Sequence, residues 1–107
     1  MMLTGDIVIA SEKLTKYLLV FKKRNDKSQW LAKAGYKIDN WQALENDLRG
    51  QILQNEAVHI EYTPYGELFE IRNTLVGPSM VTISVCTIWL KESETGIIKF
   101  ITMYPDK

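Results

Sequence analysis

The sequence predicts an α+β fold in which about three N-terminal helices precede a four-stranded antiparallel meander sheet. Three observations carry that expectation. Apolar residues recur at helical spacing as far as about Asn55. After Glu56 the period changes to two. The strand-like runs that follow are joined by turns too short for a crossover, so neighbouring strands must run antiparallel.

Ile7-Val8-Ile9 reads either as a short strand or as an extended lead-in. Ser11 suits a helix N-cap, since its hydroxyl can accept from free amides of the first turn. Leu14, Leu18 and Phe21, with Tyr17 adjoining, then share one face of a helix over about 12–21. A charged loop follows, and Asp26 with Gln29 three residues on has the form of a capping box. Trp30, Leu31 and Ala34 stripe a short second helix, with Gly35 at its C-terminal cap. Asp39 and Gln42 repeat the capping pattern, and Trp41, Leu44, Leu48 and Ile52 mark a third helix. Gly50 weakens that helix's interior by roughly 1 kcal/mol relative to Ala.

In the second half Val58, Ile60 and Tyr62 alternate with His59, Glu61 and Thr63, and Thr63-Pro64-Tyr65-Gly66 reads as a turn. Leu68 to Val76 is a second strand and Gly77-Pro78 a second turn. In the third strand Val81, Ile83, Val85, Thr87 and Trp89 share one face, and Thr82, Ser84, Cys86, Ile88 and Leu90 the other. Glu92 to Gly96 is a polar turn, and Ile97 to Tyr104 closes the sheet before Pro105.

At 107 residues the chain fits a single domain, 1–107, large enough for one core without disulfides or metals. Cys86 is the lone cysteine, so no internal disulfide forms, and one Cys with one His gives no zinc spacing. With no signal peptide and no apolar run of membrane-spanning length, the expected compartment is the cytoplasm, without a membrane partner. Net charge is zero, but it is unevenly spread. Residues 1–37 hold eight Lys or Arg against three acids (+5), and residues 38–107 hold five against ten (−5). Such asymmetry marks either a nucleic-acid-binding face or two solvated faces that happen to differ.

Candidate chemistry is sparse. Lys22, Lys23, Arg24 and Lys27 concentrate positive charge that can pair with phosphates, and Trp30 either stacks on a base or packs in the core. His59 titrates near neutrality but sits on a strand among surface residues. Cys86, mid-strand, reads as a buried inert thiol. The acids Glu45, Asp47, Glu67 and Glu70 show no arrangement that demands a carboxylate pair.

Lys13-Leu14-Thr15-Lys16-Tyr17-Leu18-Leu19 resembles the opening motif of a small bacterial domain family of unknown function. The likeness continues through Lys27, Trp30, Ala34-Gly35-Tyr36, Thr63-Pro64-Tyr65-Gly66, Thr87-Ile88-Trp89 and Thr102-Met103-Tyr104-Pro105. Members occur alone, and related domains resemble ribonuclease toxin tips of contact-dependent inhibition and other polymorphic toxin proteins. The resemblance implies a barnase-like or RelE-like α+β fold acting on RNA, tRNA above all, with no metal or cofactor. It points to Lys27, Tyr65, Thr87 and Thr102 as catalytic candidates, and the charge cluster adds Lys22, Lys23 and Arg24 as phosphate contacts. The chain departs from the pattern in one loop. Where relatives carry a His-Pro pair and a glycine pair, it has Val20 to Asp26, shorter and with neither. RNA binding or cleavage is therefore one expectation. A non-catalytic interaction module, working as a homodimer or with a protein partner, is the other.

Overall fold

The computed structural model describes residues 1–23 and 26–106. Arg24, one of the expected phosphate contacts, lies outside the described residues. The strands are β1 (Ile7–Val8), β2 (Val58–Thr63), β3 (Gly66–Val76), β4 (Thr82–Glu92) and β5 (Ile98–Pro105). The α-helices are α1 (Ser28–Lys33) and α2 (Trp41–Asp47), with π-wound segments at Lys13–Leu18 and Leu48–Ile52 and a 3-10 turn at Ile38–Asn40. Among the described residues, no helix is long and apolar enough to cross a membrane.

The sheet has five strands rather than four, in the order β1-β5-β4-β3-β2. The last four form the expected antiparallel meander. The correction is β1, which pairs in parallel with β5 through Ile7–Ile98 and Val8–Lys99, making the sheet mixed. A parallel neighbour needs a long connection, and here the whole rest of the chain supplies it. Two residues are too few to show a period, which is why the alternation alone left this segment open.

The first helix is also shorter than its apolar spacing suggests. It winds with i→i+5 bonds, Leu19 N–H donating to Leu14 O at 3.0 Å, and it ends at Leu18. That winding brings residues four and five apart onto one face, so Leu14, Leu18 and Leu19 are all buried. Phe21 and Tyr17, expected on the buried face, are instead 66% and 57% exposed. The same pattern recurs after α2, where Leu53 N–H donates to Leu48 O at 3.0 Å and Leu48, Ile52 and Leu53 are buried. Gly50 lies on the exposed side of this π turn. The caps differ in detail from expectation. Asn40, not Asp39, stands at the N-cap of α2 without a side-chain bond to that helix, and its Oδ1 instead closes the preceding 3-10 turn by accepting from Lys37 N–H at 2.7 Å.

Gly35 caps α1 as the sequence suggests. It has φ +96°, with Gly35 N–H bonded to Ala32 O at 3.0 Å and Tyr36 N–H to Leu31 O at 3.1 Å, the two bonds of a Schellman motif. The β3–β4 turn closes on that cap. Ser79 N–H donates to Ala34 O at 3.0 Å, and the Ser79 hydroxyl donates to Lys33 O at 2.9 Å. A Cβ on Gly77 would stand 2.0 Å from Ala34 O, so only glycine lets the turn approach. Tyr36 completes the joint: buried, it donates its hydroxyl to Asp47 Oδ2 at 2.5 Å, tying the α1 cap to α2.

Core residues of the sheet follow the expected alternation on β4, where Val85, Thr87 and Trp89 are buried against the helices. Thr87 is fully buried and spent on structure. It donates to Ile71 O at 3.0 Å and accepts from Trp89 Nε1 at 2.8 Å. Replacing Thr87 by Val would leave the indole N–H without a partner in a dry core. We expect Thr87→Val to lower the unfolding free energy by about 1–3 kcal/mol in urea denaturation. A loss below about 0.5 kcal/mol would contradict this reading.

Strand β5 breaks its own alternation. Trp89 pairs with Phe100 and Ile88 with Thr102, so Ile101 is an extra residue with no partner in β4. The bulge allows both Phe100 and Met103, three apart, to be buried in the core. It also turns Thr102 and Tyr104 onto the opposite, open face, in register with Ile88 and Cys86.

Candidate anion-binding site

The bulge lies beside the charged loop. Lys27, just ahead of α1, reaches the edge of β5, where its Nζ donates to Thr102 Oγ1 at 3.1 Å. The same ammonium stands 5.9 Å from the centre of the Tyr104 ring. Lys13, Tyr17, Leu18, Lys22, Lys27, Ile101 and Thr102 together line a hollow of ≈ 360 Å³. That size falls in the range of small-ligand pockets, about 300–1,000 Å³. Leu18 and Ile101 give it an apolar floor, and three lysines and a tyrosine give it a polar wall. Lys22 Nζ lies 4.9 Å from the centre of the Tyr17 ring, a cation–π distance.

None of the ion pairs among the described residues involves Lys13, Lys22 or Lys27. The loop's own acid is otherwise engaged. Asp26 Oδ1 accepts from the Ser28 N–H at 2.9 Å and from its hydroxyl at 2.6 Å. Ser28's hydroxyl, ahead of the proximity of Lys22, holds the Asp26 carboxyl below the ordinary carboxylate range. Partial burial, with the nearby positive charge of Lys22 second, pushes the Lys27 ammonium below the ordinary lysine range. A half-buried cation set against a hydroxyl, an aromatic ring and a second lysine gains most from an incoming anion.

The open face continues away from this hollow. Glu70, Ile88 and Thr102 stand opposite one another on β3, β4 and β5, and Arg72, Cys86 and Tyr104 form the next row. Arg72 grips Glu70 through Nε at 3.2 Å and Nη2 at 3.3 Å, and it also pairs with Asp106. Cys86 Sγ donates to Glu70 Oε2 at 3.6 Å. Burial, first among its causes, pushes the Cys86 thiol up, and a hydrogen bond to Cys86 pushes the Tyr104 hydroxyl up. Among the described residues, no group of His, Cys, Asp and Glu is arranged to hold a metal ion.

Of the residues named from sequence, the structure brings Lys27, Thr102 and Lys22 together. It does not bring Thr87 or Tyr65 to them. Thr87 offers no atom to the surface, as its bonds in the core require. Tyr65 is 78% exposed in the β2–β3 turn, beside Glu92 and Glu94. That turn sits past Glu92, whereas Thr102 faces Ile88, four residues back along β4 and one strand further over. The offset along the strand alone is roughly 13 Å. Lys23 is exposed and does not line the hollow. Trp30 packs against the core. His59 lies on β2, 3.5 Å from Glu67 and against the Tyr62 and Phe69 rings, away from the hollow.

Tyr17, Lys13, Tyr104, Glu70 and Arg72 were missed. The signal for the last two was present, since they alternate with the buried Phe69 and Ile71 and so must share the face turned from the core. Tyr17 gave no such signal, because ordinary helical winding would have placed it toward the core.

A family model for a domain of unknown function, DUF6883, matches residues 4–107. The chain belongs to this family. No curated protein and no solved structure matches the chain. The family places no function on the hollow, so its chemistry rests on the geometry. We expect the Lys27 Nζ, followed by NMR of its side chain, to titrate below the roughly 10.4 of a free lysine. A bound polyanion should move that midpoint upward, since it favours the protonated form. A midpoint at or above 10.4 in the free protein would contradict the burial argument.

Proposed function

We propose that this DUF6883 domain binds single-stranded RNA, holding backbone phosphate with Lys13, Lys22 and Lys27 and stacking a base on Tyr17. The observation that carries this reading is the Lys27 ammonium. It is half-buried at the mouth of the hollow, bonded to Thr102 Oγ1 at 3.1 Å, with no carboxylate paired to it among the described residues. Cations left without acids attract phosphate, and the affinity comes from release of the counterions condensed on the nucleic acid. An exposed tyrosine beside them adds a flat apolar platform, worth about 1–3 kcal/mol per stacked base. A duplex keeps its bases stacked inward and has none to offer Tyr17, so the partner is a single strand or a loop.

The resemblance to ribonuclease toxin tips supports RNA, and tRNA loops in particular, as the partner class, and cytoplasm as the compartment. The uneven charge of the two halves of the chain points the same way. The acidic surroundings of Tyr65 make the far end of the sheet a poor place for phosphate.

Binding can be followed by fluorescence anisotropy with a labelled ten-nucleotide single-stranded RNA and a blunt-ended RNA duplex of the same sequence. At low salt the single strand should bind and the duplex should bind more weakly. Lys27→Met should weaken binding by about tenfold, roughly 1.4 kcal/mol. The same change should reduce the slope of log K against log salt by about 0.7, the contribution of one phosphate contact to a single strand. Affinity should also fall as pH rises through the lowered Lys27 pKa, because only the protonated amine attracts phosphate. No binding at low salt, or a Lys27→Met variant with unchanged affinity and slope, would remove this reading.

A further inference from the structure

We infer that the open face of the sheet is an interface for a second copy of this chain, the two sheets packing face to face about a two-fold axis that runs along the strands between β3 and β4. This inference does not rest on the RNA-binding reading, and its test uses no RNA. Its motivation is one cross-strand row. Glu61 on β2 stands opposite Leu68, Leu68 opposite Leu90, and Leu90 opposite Lys99 on β5. An acid closes the row at one end, a base closes it at the other, and two leucines lie between. Phe69, Ile71, Val85 and Trp89 point the other way, into the core with the helices. Leu68 and Leu90, with Ile88 in the next row, are only half-buried, on the face turned from the helices.

Rotation about that axis sets β2 against β5 of the second copy and β3 against its β4, and it keeps each row level along the strands. Glu61 then meets Lys99 of the second copy, and Leu68 meets Leu90 of the second copy, each contact being made twice. Stacked sheets stand about 10 Å apart, a gap that facing leucines fill, while the longer Glu and Lys side chains meet at the rim. Lys99 already lies 2.9 Å from Glu92, but an exposed pair of this kind is too weak to bar a second carboxylate. Glu92 shares its row with Gly66, so it faces Gly66 of the second copy, which has no side chain to collide with it. Glu70, set against Ile88 of the second copy, has its charge matched in its own chain by Arg72 at 3.2 and 3.3 Å. The free edge of β2 is a poorer meeting place, since the register shift between His59 and Glu61 breaks the regular ladder that another strand would need. β3 and β4 are eleven residues long. Four strands of that length at the usual spacings span about 700 Å². The shorter β2 and β5 bring the contact below that figure, against roughly 800 Å² per partner in a standard interface. The dimer this face supports is therefore reversible and concentration-dependent.

The test is sedimentation equilibrium of the whole protein at low salt, from about 1 μM to about 1 mM. The mass should rise from that of one chain toward that of two. Glu61→Lys and Lys99→Glu each set like charges against one another, and each should weaken the dimer about tenfold, with near-UV circular dichroism showing that both variants fold. Mixed together, the two variants should pair with each other and recover most of the lost affinity, because each supplies the charge that the other lacks at both contacts. The mass of one chain at every concentration would overturn the proposal and leave the face to another partner or to solvent. A dimer that both charge variants leave unchanged would overturn the assignment of this face. Two variants that stay monomeric when mixed would overturn the two-fold pairing of Glu61 with Lys99.

Discussion

The extra residue in β5 sets what the two faces of the sheet can do. Phe100 and Met103 are three apart and both buried, which a regular strand forbids because side chains alternate. Ile101 absorbs the mismatch. From that point on, Thr102 and Tyr104 face the open side, in register with Ile88 and Cys86. Without the bulge, a strand that keeps Phe100 inward would turn Thr102 inward as well. Lys27 would then lose its hydroxyl partner, and the hollow would lose a wall. Bulges of this kind commonly re-aim side chains beside functional sites. Here the effect is to convert a packing need of the core into the placement of polar groups at a sheet edge.

A second constraint fixes the other side of the hollow. The π winding at Lys13–Leu18 buries Leu14, Leu18 and Leu19 together, and the chain leaves the helix with Tyr17 turned outward. The charged loop then runs from this segment to α1, which is held by its Schellman cap and by the β3–β4 turn docked on it. Lys27 thus sits at the start of an element anchored at its far end by the two bonds from Ser79 to the backbone of Lys33 and Ala34. Such anchoring limits the entropy lost when the ammonium meets an anion.

Much of the fold was legible because local signals agreed. The switch of period after Glu56, the turn at Thr63 to Gly66 and the glycine at the α1 cap all recur in the structure. The misses have physical reasons. The strand β1 is two residues long, so it carries no alternation, and its partner is nearly the whole chain away. The bulge at Ile101 and the two π turns each shift a period by one residue, which a reading based on regular spacing cannot register. The site was partly legible for the same cause. Lys27 and Thr102 were named through motif resemblance and Lys22 through the charge of its loop, and they meet. Thr87 was named by the same route, but its hydroxyl is committed to Ile71 O and the Trp89 indole. Sequence gave no means of separating a threonine that faces the core from one that faces solvent after a bulge.

The central claim is that the lysine-lined hollow at the β5 bulge is where this protein meets RNA. Amide and side-chain NMR, recorded while a short single-stranded RNA is titrated into the protein, tests it most directly. The largest shifts are expected at Lys13, Tyr17, Lys22, Lys27 and Thr102. Shifts confined to β2 and to the turn at Pro64 and Tyr65, with Lys27 and Thr102 unmoved, would contradict it.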